Sequence, residues 1–218
     1  MTNRMIMEKQ KPDSSREKIL QAVRNAQQRT AAVSSLYDVE AVYFHPDNLL
    51  DVFVKEVEAV AGQCLVFSSR EAMLDHLAEL AGRRGWDYLY TCDTELAGQA
   101  TIRGIAAGND PDRFENMQAA VTSCEALVAR TGSVVMSSVP AAGRQVYAYT
   151  PVHIVIARED QLVAYPEDAL RLLQARYGNR LPSAMGFVTG PSRTADIEKT
   201  LVLGAHGPKE LIIFVLKN

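Results

Sequence analysis

The stretch CLVFSSREAMLDHLAELAGRRGWDYLYT, from Cys64 to Thr91, contains the two periodicities that decide the fold. Its first four residues and its last four are short apolar runs typical of buried strands. Ser68 and Glu71 form a capping box, Gly82 supplies a stop signal, and apolar residues recur between them at helical spacing: Met73, Leu74, Leu77 and Leu80. Because a helix separates the two strands, the pattern favours parallel pairing.

The same alternation extends in both directions along the chain. Further strands are predicted at Ala119 to Thr122, Val134 to Ser137, Val152 to Ala157, Gln161 to Val163, Ala184 to Val188 and Leu211 to Leu216. Further helices are predicted from Ser14 to Arg29, from about Asp47 to Gly62, from Asp93, from Ser123, and from Pro166 to Tyr177. The sequence therefore predicts an α/β fold, a layered α/β/α domain with a mostly parallel sheet. We expect an N-terminal amphipathic helix and linker over residues 1–35 and the α/β domain over residues 36–218.

Composition excludes several classes of partner. The chain has 218 residues, 47% of them apolar, and a formal net charge of -3, which gives no general affinity for nucleic acid or anionic membranes. Residues 1–30 carry seven basic and three acidic side chains, and a solvated helix face is favoured there over a docking arm. No run approaches the roughly 18 apolar residues of a membrane span. We expect no nucleic-acid partner, no membrane span and a cytoplasmic location.

Familiar cofactor motifs are absent from the sequence. It has no dinucleotide-binding Gly-x-Gly-x-x-Gly after a strand, no P-loop and no His-Glu-x-x-His. Cys64, Cys92 and Cys124 are far apart and have no histidine at metal-ligand spacing. We therefore expect this chain to bind no metal, no iron-sulfur cluster and no other cofactor of its own.

The most polar loop lies between the last two predicted strands, in GPSRTADIEK over residues 190–199 and GAHGP over residues 204–208. A helix starting near Thr194 or Ala195 would point free N–H groups into this loop, and Arg193 could pair with an anion there. A purely structural interpretation makes the acidic residues helix-start residues and the imidazole part of a turn. The candidate ligand contacts in this loop are Gly190, Ser192, Arg193, Thr194, Asp196, Glu198, His206 and Gly207.

A second candidate is Thr131-Gly132-Ser133, between a predicted helix and a strand. It is either a tight turn with a left-handed glycine or a place where a ligand approaches the backbone and binds the hydroxyls. Arg144, beyond the loop Pro140–Gly143, could close on an anion.

The parallel sheet favours ligand binding beyond the carboxyl ends of its strands. By this rule the candidate loops are Thr91–Asp93, Thr122–Glu125, Ser137–Arg144 and the segment from Gly190 onward. Asp93 and Ser123 are nevertheless favoured as helix caps.

Three segments resemble the LUD-domain family, in its lactate-utilization branch. They are Thr131-Gly132-Ser133, Pro151-Val152-His153-Ile154, and above all Gly190 to Glu198 together with Gly204-Ala205-His206-Gly207-Pro208. The likeness covers most of the chain and is strongest from about Cys124 to the end.

The resemblance implies a fold similar to the NagB/RpiA/CoA-transferase group. It also implies the role of a cluster-free component in a three-protein system that oxidises L-lactate to pyruvate, with iron-sulfur clusters on partner proteins. It assigns no catalytic residue; Glu125 is a candidate nucleophile only by its position after a strand. The alternative is an independent enzyme or binding protein for a phosphorylated or carboxylated small molecule, such as a CoA ester, sugar phosphate or folate.

Overall fold

A computed structural model describes residues 15–27, 48–139, 143–194, 202–203 and 207–218. The chain divides into two compact units, Met1–Phe44 and His45–Asn218. Within the first unit, helix α1 spans Ser15–Gln27. The expected domain boundary near residue 35 stays a prediction, and the short apolar run over residues 41–44 lies outside the described residues.

The second unit is built on a six-stranded sheet in the order β1-β12-β7-β4-β2-β3, in which every pair is parallel. Its strands are β1 Gln63–Phe67, β2 Tyr88–Tyr90, β3 Ala106–Gly108, β4 Ala119–Ser123, β7 Val152–Arg158 and β12 Glu210–Leu216. The central strands β7 and β12 are continuous apolar runs because both of their faces are covered. The predicted α/β fold with a mostly parallel sheet is confirmed.

A second, four-stranded sheet has the order β8-β5-β6-β9. Its strands are β5 Ala126–Val128, β6 Ser133–Ser137, β8 Leu162–Val163 and β9 Met185–Val188. The helix predicted from Ser123 is therefore wrong. All three residues of β5 are fully buried, and the segment joins a sheet between two apolar layers, which overrides its helical spacing.

Helices α2 Leu49–Ala59, α3 Arg70–Arg84, α4 Thr94–Ile102, α5 Gly143–Tyr149 and α6 Pro166–Tyr177 complete the unit. α3 and α4 cover one face of the large sheet. α2 and the small sheet cover the other face, while α6 packs on the far side of the small sheet. The resulting core runs through four layers instead of the predicted three.

Both boundaries of α3 differ from the predicted ones. α3 begins after Ser69, whose hydroxyl accepts a hydrogen bond from Ala72 N, so the cap is one residue later than Ser68. The helix continues past Gly82 and stops at Gly85, which adopts the left-handed conformation with φ 67°. A Cβ at Gly82 would meet nothing within 4 Å, so packing does not require a glycine at this position within the helix.

Candidate functional site

Three hydroxyls form a chain that joins two of the loops singled out in the sequence. Thr131 Oγ1 lies 2.7 Å from Ser133 Oγ, which in turn lies 2.7 Å from Thr189 Oγ1. Ser133 is the first residue of β6, and Thr189 follows the paired strand β9. Thr189 was not predicted, although its place directly before Gly190 is a signal that could have found it.

Gly132 and Gly190, which are next to these hydroxyl residues in the sequence, pack against helix α2. Gly132 has φ 60°, and a Cβ there would lie 2.5 Å from the backbone of Glu56 and Val57. Gly190 has φ 74°, and a Cβ there would lie 2.4 Å from the carbonyl oxygen of Val60. The predicted left-handed conformation of Gly132 is confirmed. The backbone that lies close to Gly132 belongs to helix α2.

Arg193 also contacts α2. Its guanidinium donates a hydrogen bond to the carbonyl oxygen of Val60 at 2.5 Å, where Val60 is the C-terminal cap of the helix. A cation at this end complements the partial negative charge of the helix terminus. Arg193 therefore has a structural partner, and its predicted role in binding an anion stays a prediction.

No helix begins at Thr194. Arg193–Thr194 is strand β10, which pairs in antiparallel fashion with β11, Val202–Leu203. A start at Ala195 falls among residues 195–201, which lie outside the described residues. Asp196, Glu198 and His206 also lie outside them, as do the side chains of Arg144 and Thr194.

Residues 190–192, which we call the Gly190 segment, return to the large sheet at the amino end of strand β12. Ser192 N donates to Pro208 O at 2.8 Å, two residues before β12 begins, and Gly207 packs against the Ser192 side chain. The predicted position at the carboxyl edge of the parallel sheet is therefore wrong. The segment follows β9 of the small sheet, so the rule for parallel sheets does not apply to it.

Strands β4 and β2 are neighbours in the large sheet, and their carboxyl ends form part of its carboxyl edge. Here the connections diverge, since β2 leads to β3 on one side and β4 leads by way of the small sheet to β7 on the other. Such a divergence is where open α/β sheets bind ligands. Asp93 Oδ1 caps α4 by accepting from Leu96 N, which confirms its predicted structural role.

Glu125 is a buried carboxylate with three donors. It is 3% exposed and accepts hydrogen bonds from Ser137 Oγ at 2.6 Å, from Tyr177 Oη at 2.7 Å, and from the Arg176 guanidinium. The last two donors come from α6, so this network ties α6 to β5 and β6. The geometry gives Glu125 a structural role and presents no free carboxylate oxygen to a substrate.

The three cysteines are separate and free. Burial raises the pKa of Cys64 and of Cys124 to about 12. Burial also raises the pKa of Cys92, which is half-buried after β2. Since the thiolate is the reactive and metal-binding form, all three environments favour the protonated thiol.

His153 is fully buried on β7. Its Nε2 lies 2.8 Å from Thr122 Oγ1, its ring stacks on Tyr147, and its Nδ1 has no partner among the described residues. A proton on Nε2 leaves only a lone pair unpaired at Nδ1, so the neutral ring is tolerated. Desolvation lowers the pKa of His153 from 6.5 to about 4.

Because the His153 ring is buried, we expect the folded protein to lose stability in acid. The pKa of His153 is lower in the folded state than in the unfolded state. The free energy of unfolding is therefore at its full value above pH 6.5 and decreases as the pH falls towards 4. The loss should reach about 3 kcal/mol, and denaturant titrations between pH 7 and pH 4 measure it. His153→Gln should remove this part of the pH dependence; identical profiles for the two proteins would count against the assignment.

Within the described parts of the chain, no helix is long and apolar enough to cross a membrane. The same residues include no group of three or more His, Cys, Asp or Glu side chains placed to hold a metal ion.

Known proteins similar to this chain include Lactate utilization protein C of Geobacillus sp. (strain WCH70), which is 26% identical over 93% of this chain and 96% of that protein. Lactate utilization protein C of Halalkalibacterium halodurans is 34% identical over 49% of this chain, a match that spans 47% of that protein. The crystal structure of a DUF162 family protein from Deinococcus radiodurans has a similar fold, with a TM-score of 0.59 and 17% identity over 77% of this chain and 96% of that one.

The LUD domain family matches residues 50–216, which cover the large sheet, the small sheet and their helices. The match includes Thr131-Gly132-Ser133 and the Gly190 segment, the residues on which the resemblance was based. This chain belongs to the LUD domain family.

Proposed function

We propose that this chain serves lactate utilization as the component without an iron-sulfur cluster in a three-protein system that oxidises L-lactate to pyruvate. The observation that carries the proposal is the end-to-end similarity to a protein named Lactate utilization protein C. The alignment covers nearly the full length of both proteins.

The cysteine environments support the assignment of the redox centres to a partner. An iron-sulfur cluster is held by several thiolates at one place. Here Cys64 lies on β1, Cys92 follows β2 and Cys124 follows β4, and burial keeps each thiol protonated. We propose that iron-sulfur proteins of the same system supply the electron-accepting groups.

The alternative function, an independent protein that binds an anionic small molecule, depended on Arg193 and an adjacent helix start. One N–H of Arg193 is donated to Val60 O, and Thr194 belongs to a strand. No described contact favours this alternative, so lactate utilization takes precedence.

Copurification tests the partner. The full chain, tagged at its own locus and purified from cells grown on L-lactate, should bring down an iron-sulfur protein in fixed proportion, identified by mass spectrometry and by iron and sulfide content. The same chain purified alone from another host should contain no cluster. Recovery of the chain by itself from lactate-grown cells, or a cluster bound to the isolated chain, would contradict the proposal.

A further inference from the structure

An open pocket of about 590 Å³ lies beside the carboxyl end of β2. This volume is within the range of small-molecule sites. The described walls of the pocket are Tyr90, Pro111, Asp112, Phe114, Glu115 and Gln145, and they include none of the candidate residues whose side chains the structure describes. The pocket adjoins the place where the connections of β2 and β4 diverge, which is the favoured ligand position of an open parallel sheet.

Aromatic rings form one wall of this pocket. Tyr90, the last residue of β2, meets Phe114 edge to face, with ring centroids 5.6 Å apart and an interplanar angle of 79°. Tyr149, which is 71% exposed, continues the row 6.0 Å from Phe114. Ring faces of this kind attract a cation placed within about 6 Å of the centroid.

The described lining of the pocket is negatively charged. Asp112 and Glu115 are exposed carboxylates without an ion-pair partner among the described residues, and none of the described lining residues is a lysine or an arginine. Arg113, which follows Asp112 in the sequence, contacts Tyr88 and Asp87. Its guanidinium sits 4.7 Å over the Tyr88 ring and 3.5 Å from Asp87.

We propose that this pocket binds a flat organic cation, with an amidinium, guanidinium or aromatic ammonium group. The positive group would lie near Asp112 and Glu115, its apolar plane would lie against the Phe114 ring, and the Gln145 amide oxygen would accept a hydrogen bond. The same carboxylates repel lactate and other anions. The site is therefore separate from the handling of lactate and does not depend on the proposed function.

Benzamidine is the probe, and benzamide is its neutral counterpart of nearly the same shape. Calorimetric titration of the full chain should give saturable binding of benzamidine, with benzamide at least tenfold weaker and the affinity for benzamidine reduced by salt. Amide shifts in nuclear magnetic resonance spectra should change at residues 112–115 and at Gln145. Equal affinity for the two compounds, no saturable binding, or shift changes confined to other residues would overturn the proposal.

Two variants distinguish binding in the pocket from general attraction to acidic side chains on the surface. Asp112→Asn combined with Glu115→Gln should weaken benzamidine binding at least tenfold without unfolding the protein, because both side chains are exposed. Glu79→Gln, an exposed carboxylate on α3 that does not line the pocket, should leave the affinity unchanged. Equal losses in the two proteins would show general charge attraction and would overturn the site.

Discussion

Gly132→Ala and Gly190→Ala should each lower the free energy of unfolding by about 2–5 kcal/mol. The left-handed conformation costs an alanine about 1–2 kcal/mol, and forcing a methyl group into packed structure adds about 1–3 kcal/mol. At both positions the atoms in the way belong to the backbone of α2 or of its C-terminal cap Val60, which cannot rotate aside as a side chain can. Urea titrations monitored by circular dichroism measure the change.

Gly82→Ala and Gly98→Ala are the matched controls. Both glycines lie within helices, and a Cβ at either position meets nothing within 4 Å. Alanine has the higher helix propensity, so each control should stabilise the protein by about 0.5–1 kcal/mol. If Gly132→Ala or Gly190→Ala behaves like these controls, the close packing of the two loops on α2 is incorrect.

Glu125→Ala should cost about 3 kcal/mol of unfolding free energy. The change leaves the Ser137 and Tyr177 hydroxyls without their acceptor and removes the partner of Arg176. Because α6 packs on the small sheet through these contacts, hydrogen exchange should also accelerate in α6. Equilibrium denaturation and exchange monitored by mass spectrometry test the two expectations.

Two arginines of α6 provide the comparison. Arg176→Ala breaks an ion pair whose carboxylate is 4% exposed and should cost about 2 kcal/mol. Arg171→Ala breaks a pair with Asp168 whose side chains are 76% and 36% exposed, and it should cost less than about 0.5 kcal/mol. Equal effects would refute the distinction between the buried network and the surface pair.

The elements that periodicity predicted well are those with strong local sequence signals. α6, from Pro166 to Tyr177, was predicted at its observed boundaries because proline, the apolar spacing and Gly178 are all local signals. The strands β7 and β12 were evident as long apolar runs. Short strands such as β3, Ala106–Gly108, have no such run, and their pairing partners decide their structure.

The division into two sheets could not be predicted from the sequence. An apolar run indicates burial without indicating which sheet a strand joins, and β5 and β6 are as apolar as the strands of the large sheet. Because of this ambiguity, we predicted the Gly190 segment at the carboxyl edge of the parallel sheet, and this prediction was wrong. The loops that contain Gly132 and Gly190 do come together beside α2, but this contact joins residues distant in sequence, and the role of these residues in ligand binding stays a prediction.

The pocket beside β2 was missed for a different reason. Asp112 and Glu115 lie in an ordinary polar loop, and only the fold brings Phe114 against Tyr90 and Gln145 across from them. Charge patterning alone could not distinguish these carboxylates from the other acidic side chains of the surface.

Growth on L-lactate tests the central claim most directly. In the organism that encodes this chain, deletion of its gene should abolish growth on L-lactate as sole carbon source and leave growth on pyruvate unchanged. A plasmid copy of the gene should restore growth on L-lactate. Normal growth of the deletion strain on L-lactate, or an equal loss on pyruvate, would contradict a role for this protein in the oxidation of L-lactate.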